Sequence, residues 1–221
     1  MLKRAHFLTL KNHHDASSHS LFHFPPPCSI GRFTFINSCA RSTRHTGRPA
    51  LTDALKKGGY TLFFRHTATD QSKGDQDKPV VADCTTQRNL SREGRIEARV
   101  IGQTFDNLQI PVGQVLASPY CRAVETARLG FARAEASDAL IEQKPQNDTT
   151  AKIAEAGLRP LLAAASIAGT NTVLVSHGFN LRSISGFALA EGEAAVYLPD
   201  GKGGFNLVAR VLAAKWSSLA P

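Results

Sequence analysis

Two histidines and two arginines carry the clearest chemical signal in this sequence of 221 residues. Arg65 and His66 are adjacent, and Arg122 and His177 follow further along the chain. Six of the eight histidines lie in residues 1–50, so His66 and His177 are the only two in the remainder. A guanidinium offers phosphate oxygens a planar fork of charged donors, and an imidazole with a free nitrogen can attack phosphorus. These residue types indicate a phosphate site with a histidine nucleophile.

Three predicted strands position these side chains. Short apolar runs bounded by polar residues are typical of buried strands, and the sequence has three of them, at 60–64, 112–117 and 172–176. They end at His66, Ser118 and His177 respectively. In a parallel sheet the ligand lies beyond the carboxyl ends of the strands. We therefore expect the three ends to converge on one pocket.

Helices are predicted between these strands. Ser91 can cap a helix that runs to about Leu108, and Ser118 with Pro119 predicts a helix that runs to about Ala134. The remaining predicted elements are a short helix at 53–57, a short strand at 139–141, a helix from 148 or 149 to about 167, a helix at 180–189, and a hairpin of 194–198 with 205–211. This alternation predicts an α/β fold, a three-layer α/β/α sandwich with a mostly parallel central sheet.

Four segments carry recognisable motifs. They are 62–67 (LFFRHT), 89–98 (NLSREGRIEA), 118–127 (SPYCRAVETA) and 173–178 (VLVSHG). Their order and rough spacing resemble those of the histidine phosphatase superfamily, the phosphoglycerate mutase-like proteins. The resemblance covers about residues 55–211 and implies a phosphoglycerate mutase-like fold.

The resemblance also implies a role for each central residue. His66 would accept the phosphoryl group, while Arg65, Arg122 and His177 would bind its oxygens. Water would then hydrolyse the phosphohistidine. Neither a metal nor another cofactor is implied, because the arginines supply the positive charge.

A general acid must protonate the leaving oxygen. In the family this group is often a glutamate in a "leucine, any residue, glutamate" run, which the segment 140–142 (LIE) resembles. Glu142 is therefore the expected acid, with Asp148 and Glu193 as alternatives.

Substrate contacts are also predicted for residues beside the central four. These are Thr67, Thr69, Ser118, Gly178 and Asn180. Thr67 stands where the family usually has glycine, so its side chain could either donate to a phosphate oxygen or narrow the pocket. Arg88 and Arg182 are interpreted as scaffold or rim residues.

Charge divides the chain into two predicted parts, a poorly ordered basic leader at 1–50 and a domain at 51–221. The leader carries +6 of the formal net charge of +8 and is rich in Ser, His, Arg and Pro. The domain shows no basic stripe with interleaved aromatics, which argues against nucleic-acid binding. No apolar run approaches the ~20 residues of a membrane span. The leader has no continuous apolar segment typical of a secretory signal, and its basic, acid-poor composition fits a transit peptide and an overextended start site equally well. The compartment stays open, with the cytoplasm as the default and export as the alternative if the true N-terminus differs.

The four cysteines form no CxxC pair and have no zinc-ligand spacing. Cys84 and Cys121 could form a disulfide if the protein is exported; otherwise all four are unrelated thiols. A zinc site made of His66, His177 and Cys121 is a weaker alternative.

The sequence thus predicts a metal-independent phosphomonoester hydrolase that acts on a small phosphorylated substrate or a phosphoprotein. The short segment between Arg122 and His177 leaves little room for the long insertions with which mutases enclose their substrate. Two alternatives stay open. One is an inactive relative that binds phosphorylated ligands, which Thr67 motivates, and the other is a phosphomutase.

Overall fold

A mixed six-stranded sheet organises the part of the chain that the structure, a computed structural model, describes, namely residues 48–142 and 148–219. The strands are β1 (Thr61–Arg65), β2 (Val112–Ala117), β3 (Glu135–Ala136), β4 (Asn171–Ser176), β5 (Ala194–Pro199) and β6 (Phe205–Val211). Their order in the sheet is β3-β2-β4-β1-β5-β6. The pairs among β1 to β4 are parallel, whereas β5 runs antiparallel to both β1 and β6.

Helices cover both faces of this sheet. They are α1 (Arg48–Lys57), α2 (Arg92–Asn107), α3 (Cys121–Phe131), α4 (Asp148–Ala163), α5 (Arg182–Ser185) and α6 (Ala213–Trp216), with 3-10 turns at Cys84–Thr86 and Asp138–Leu140. The predicted α/β/α sandwich is therefore confirmed. No helix in the described ranges combines the length and the apolar character that a membrane crossing requires.

The core lies on both sides of the sheet. Phe63 and Phe64 are successive in β1, so their side chains point to opposite faces. Phe64 packs against Phe105 of α2 and Trp216 of α6, while Phe63 belongs to the buried cluster that includes Leu158 of α4. Full burial of such a side chain contributes about 1.5–3 kcal/mol. These apolar contacts fix β1, and the candidate nucleophile His66 directly follows its last residue.

Two close contacts tie helix α2 to the region of the candidate site. The Ser91 hydroxyl accepts a hydrogen bond from the Gly94 amide at 3.0 Å, which confirms the predicted cap. A Cβ on Gly94 would lie 1.9 Å from the Ala68 carbonyl oxygen. Only glycine therefore allows the first turn of α2 to approach the chain just after β1 so closely.

Several predicted boundaries were wrong. The third helix starts at Cys121 rather than at Pro119, and Tyr120 rather than Ser118 is its N-terminal cap residue. The Ser118 hydroxyl lies 2.8 Å from His177 Nε2 and accepts a longer hydrogen bond, of 3.4 Å, from the Tyr120 amide. The segment 139–141 is not a strand, since Asp138–Leu140 forms a 3-10 turn and the short strand precedes it at Glu135–Ala136. The helix predicted at 180–189 is reduced to α5, which ends at Gly186 in the left-handed conformation.

Residues 1–47 of the leader predicted at 1–50 lie outside the described residues, so the leader stays a prediction. Helix α1 begins at Arg48, slightly before the domain boundary expected at Leu51. A disulfide joins Cys84 to Cys121, so the oxidised alternative for this cysteine pair is the one found in the structure.

Candidate active site

The two histidines lie side by side because their strands are neighbours. Strands β1 and β4 are parallel, with Arg65 paired to Ser176, so His66 and His177 leave the sheet at the same edge. The His66 amide donates to the Ser176 carbonyl at 2.9 Å, and the two imidazole centroids are 5.4 Å apart. The predicted convergence of these strand ends is therefore present.

The hydrogen bonding of His66 determines which ring nitrogen is available for chemistry. Its Nδ1 lies 3.0 Å from the Thr67 carbonyl oxygen. A carbonyl can only accept, so Nδ1 carries the proton and Nε2 keeps the lone pair. The pKa of His66 is lowered to about 3, chiefly by burial and to a smaller extent by the nearby cations Arg122, Arg65 and Arg88, while the hydrogen bond to the Thr67 carbonyl opposes the shift. The imidazole is therefore neutral at neutral pH, as a nucleophile must be.

Arg65 is held beside His66 by hydrogen bonds to the segment 189–191. Its Nη1 donates to the Leu189 carbonyl at 3.0 Å, and its Nη2 donates to Glu191 Oε1 at 3.2 Å. Thr69 donates to the same carboxylate from its amide and its hydroxyl. Burial lowers the pKa of Arg65, and Glu191 opposes that shift. A Cβ on Gly178 would lie 3.2 Å from Arg65 Cδ, so glycine leaves space for the arginine there.

Arg122 is almost completely buried, with 1% of its side chain exposed. Its Nη1 donates to Asp75 Oδ1 and its Nη2 to Glu142 Oε2, both at 2.9 Å. Its guanidinium carbon lies 4.7 Å from the centre of the Tyr120 ring. These contacts orient the guanidinium rigidly and place two carboxylates next to it.

His177 is fully buried at the end of β4. Its Nε2 lies 2.8 Å from the Ser118 hydroxyl oxygen, and its ring meets that of Tyr120 at a centroid distance of 5.2 Å. The end of β2 thus orients the second histidine through Ser118.

One small cavity, of about 190 Å³, opens at this edge of the sheet. Its lining consists of Arg65, His66, Asp75, Arg88, Glu142, Gly178, Phe179 and Ala188. Binding pockets for whole drug-sized ligands measure about 300–1,000 Å³. This cavity therefore suits an anion of the size of phosphate better than a complete metabolite.

Three guanidinium groups around this region have unpartnered donors. The Nε atoms of Arg65, Arg88 and Arg122 are buried and have no hydrogen-bond partner among the described residues. A buried donor left unsatisfied costs about 1–3 kcal/mol. An oxyanion is the acceptor that such donors would favour.

Two residues in the cavity wall were underestimated from the sequence. Arg88, interpreted as scaffold or rim, lines the cavity, and its position directly before the segment 89–98 was the signal available. Asp75 was not singled out, and it lies in a polar loop with no motif. Arg182 is exposed on α5 and outside the lining.

Several predicted substrate contacts lie behind the cavity wall rather than in its lining. The amide and hydroxyl of Thr67 each lie 3.2 Å from the Thr126 hydroxyl oxygen. The Asn180 side-chain amide donates to the carbonyls of Leu140 and Ile141, which supports the segment leading to Glu142. Contact of Thr67, Thr69, Ser118 and Asn180 with substrate stays a prediction.

The expected general acid lies in the wall, whereas its alternatives do not. Glu142 lines the cavity beside Arg122. Glu193 is buried and paired with Arg210 at 2.7 Å, outside the lining. The side chain of Asp148 lies outside the described residues.

Across 48–142 and 148–219, no cluster of three or more His, Cys, Asp or Glu side chains is arranged to hold a metal ion. The Cys121 sulfur belongs to the disulfide, so it cannot act as the thiolate of the zinc alternative.

Comparison with solved structures identifies the fold. A candidate alpha-ribazole-5'-P phosphatase from Escherichia coli aligns with a TM-score of 0.51 and 15% sequence identity, over 68% of this chain and 95% of that one. The protein histidine phosphatase SixA complexed with tungstate aligns with a TM-score of 0.48 and 17% sequence identity, over 71% of this chain and 98% of that one. A mycobacterial glucosyl-3-phosphoglycerate phosphatase in complex with inorganic phosphate aligns with a TM-score of 0.47 and 14% sequence identity, over 71% of this chain and 99% of that one. No protein-family model and no curated protein matches the sequence.

The chain has the phosphoglycerate mutase-like fold. This confirms the fold that the four sequence segments predicted.

Proposed function

We propose that this chain is a phosphomonoester hydrolase that forms a phosphohistidine on His66 without the help of a metal ion. The observation that carries the proposal is the state of His66, which is neutral, fixed in one tautomer by Thr67, and part of a cavity lined by Arg65 and Arg88. His177 and Arg122 lie behind this lining, where His177 packs against His66 and Arg122 pairs with Asp75 and Glu142 of the wall. Phosphoryl transfer depends mainly on positioning and on neutralising the charge of the equatorial oxygens. Arg65, Arg88 and Arg122 are suited to the second task.

The first chemical step uses the lone pair on His66 Nε2. It attacks phosphorus, the bond between phosphorus and the ester oxygen breaks, and the leaving oxygen takes a proton from Glu142. The phosphoryl group is then bound to the imidazole, and the alcohol can leave.

The second step returns the protein to its starting state. A water molecule attacks phosphorus and gives a proton to the Glu142 carboxylate, while the bond between phosphorus and nitrogen breaks. Inorganic phosphate, neutral His66 and protonated Glu142 result. The arginines hold the transferring oxygens in both steps.

The ion pair of Glu142 with Arg122 fits this role only if substrate disrupts it. Asp75 and Glu142 both accept from the Arg122 guanidinium. A phosphate dianion competes for those donors and would displace the carboxylate from the guanidinium. Asp75, in the same wall, is the second candidate for the proton donor.

Hydrolysis of p-nitrophenyl phosphate in the presence of a chelator tests the proposal. We expect turnover by the native protein and its loss in His66→Ala. Radiolabel from a phosphoester should stay on the native protein after an alkaline quench, and His66→Ala should not retain it. Full turnover by His66→Ala would refute the proposal.

A pair of matched variants assigns the acid. Glu142→Gln and Asp75→Asn each remove one carboxylate charge beside Arg122, so a change in phosphate affinity is common to both. We expect only Glu142→Gln to lower kcat on an alkyl phosphate by about 10²–10⁴-fold, the usual contribution of general acid catalysis. The reverse result would assign the role to Asp75.

The alternatives receive less support. Thr67 motivated an inactive relative, yet its hydroxyl contacts Thr126 and it lies outside the cavity lining. A phosphomutase must hold its phosphorylated intermediate between two transfers, for which a cavity of about 190 Å³ offers little room.

A further inference from the structure

The segment between β1 and α2 carries part of the candidate site but little hydrophobic anchoring. From Asp70 to Asn89, Gln87 is the one buried residue, and Val80 is 55% exposed. Apolar burial, the main force that fixes the sheet and helices, therefore does not hold this segment. Two of its residues nevertheless line the cavity, namely Asp75 and Arg88.

These two residues are connected to Arg122 through one carboxylate oxygen. Asp75 Oδ1 accepts from the Arg88 amide at 2.8 Å and from Arg122 Nη1 at 2.9 Å. Arg122 Nη1 also lies 3.4 Å from the Arg88 carbonyl oxygen. The position of the segment and the position of the two guanidiniums are thus coupled.

The Cys84–Cys121 disulfide is the covalent anchor of this arrangement. Cys84 belongs to the exposed segment, and Cys121 is the first residue of α3, directly before Arg122. Polar contacts surround the bond. The Cys121 amide donates to Gln87 Oε1 at 2.9 Å, and the Asn89 side-chain amide donates to the Cys84 carbonyl at 2.7 Å. Cys84 is itself exposed, so a soluble dithiol can reach the bond.

We propose that the Cys84–Cys121 disulfide is a positioning element of the active site, which holds Arg88 and Asp75 against Arg122, and that its reduction weakens the binding of phosphorylated substrate. The inference rests on the proposed phosphatase function. His66 and His177 are fixed by the sheet and not by the segment. Reduction should therefore weaken phosphate binding and raise KM without disturbing the two histidines.

The redox step needs a dithiol as the reductant. One thiolate of the dithiol attacks a sulfur of the disulfide and releases the other cysteine as a thiolate, which takes up a proton. The second thiol of the reagent then attacks the mixed disulfide. The products are Cys84 and Cys121 as thiols and the reagent as a cyclic disulfide, so two electrons pass from reagent to protein.

The test uses the full chain with Cys28→Ser and Cys39→Ser, so that every thiol released by dithiothreitol comes from the pair. Thiol titration measures the reduction, and turnover of p-nitrophenyl phosphate is recorded before and after it. Loss of one charge-assisted contact corresponds to about tenfold in affinity, so we expect KM to rise by about tenfold on reduction. An unchanged KM in fully reduced protein would overturn the proposal.

Two variants provide matched controls. Cys84→Ser/Cys121→Ser should have the raised KM with and without dithiothreitol. Arg88→Ala should raise KM in the oxidised protein, and reduction should then add little. An equal response of the Cys84→Ser/Cys121→Ser variant to dithiothreitol would place the effect outside the disulfide and also overturn the proposal.

Direct binding separates this inference from the proposed function. Isothermal titration with inorganic phosphate reports affinity even in a protein without turnover. If the oxidised protein binds phosphate but does not hydrolyse esters, the proposed phosphatase function is refuted. The inference about the disulfide still stands in that case if reduction weakens phosphate binding. Active protein with the same phosphate affinity in both redox states would refute the inference alone. Circular dichroism of the reduced protein checks that the sheet and helices are intact.

Discussion

At the scale of single residues, His66 is defined by what surrounds it. Its side chain is 2% exposed, and its Nδ1 donates to a backbone carbonyl one residue away. Burial lowers its pKa to about 3, well below the ordinary value of 6.5. The same environment that keeps the imidazole nucleophilic also makes its protonation costly to the folded state.

This cost predicts how stability depends on pH. Between pH 6.5 and about 3, the unfolded chain binds a proton at His66 that the folded chain does not bind. Protonation of His66 should therefore not affect the free energy of unfolding above pH 6.5. Below that pH the free energy of unfolding should fall, by at most about 1.4 kcal/mol per pH unit for one such group. Urea unfolding at pH 7 and pH 4.5 should show a smaller acid loss in His66→Gln than in the native protein. Equal losses of stability in the two proteins would contradict the lowered pKa of His66.

At the scale of elements, β1, β2, β4 and the start of α2 could be predicted, whereas the short strand β3 and the start of α3 could not. The apolar runs determine β1, β2 and β4 because burial on both faces needs continuous apolar residues. Ser118, which was predicted to cap α3, contacts His177, a residue far away in the sequence. The cavity-lining positions of Arg88 and Asp75 likewise depend on contacts with Arg122 that no local pattern contains.

The packing of α2 on the chain after β1 gives a prediction at this scale. Gly94→Ala adds a methyl group 1.9 Å from the Ala68 carbonyl oxygen, so the helix must move. Although alanine favours helices by about 1 kcal/mol over glycine, we expect a net destabilisation of about 1–3 kcal/mol from overpacking. Gly74→Ala is the control, since a methyl group there meets nothing within 4 Å. Chemical denaturation of both variants measures the difference, and an unchanged Gly94→Ala would show that the contact is not tight.

At the scale of the whole molecule, the fold could be predicted from the sequence, because apolar runs that alternate with helical segments specify a mostly parallel α/β sheet. The roles of the central four residues stay predictions. The site wall could be predicted only in part. Glu142 lies where it was expected, but the cavity is completed by an exposed segment whose position is set by a disulfide and by long-range hydrogen bonds. A persistent disulfide is typical of proteins in an oxidising compartment.

The disulfide also predicts a global effect. It links residues 37 positions apart, and removal of a cross-link of this kind costs about 2–4 kcal/mol, chiefly through the unfolded state. Cys84→Ala/Cys121→Ala should therefore lower the free energy of unfolding by this amount in urea, with the native circular dichroism spectrum retained. Equal stability of the variant and the oxidised protein would show that the link constrains neither state.

The volume of the cavity has a consequence for how a phosphatase of this kind would behave over time. A cavity of about 190 Å³ can contact little of a substrate beyond its phosphoryl group, which all phosphoesters share. The inorganic phosphate released at the end of the reaction keeps nearly all of those contacts, so it competes with fresh ester for the same donors. Catalysis would then slow as its own end product accumulates, and the surrounding phosphate concentration would limit the rate.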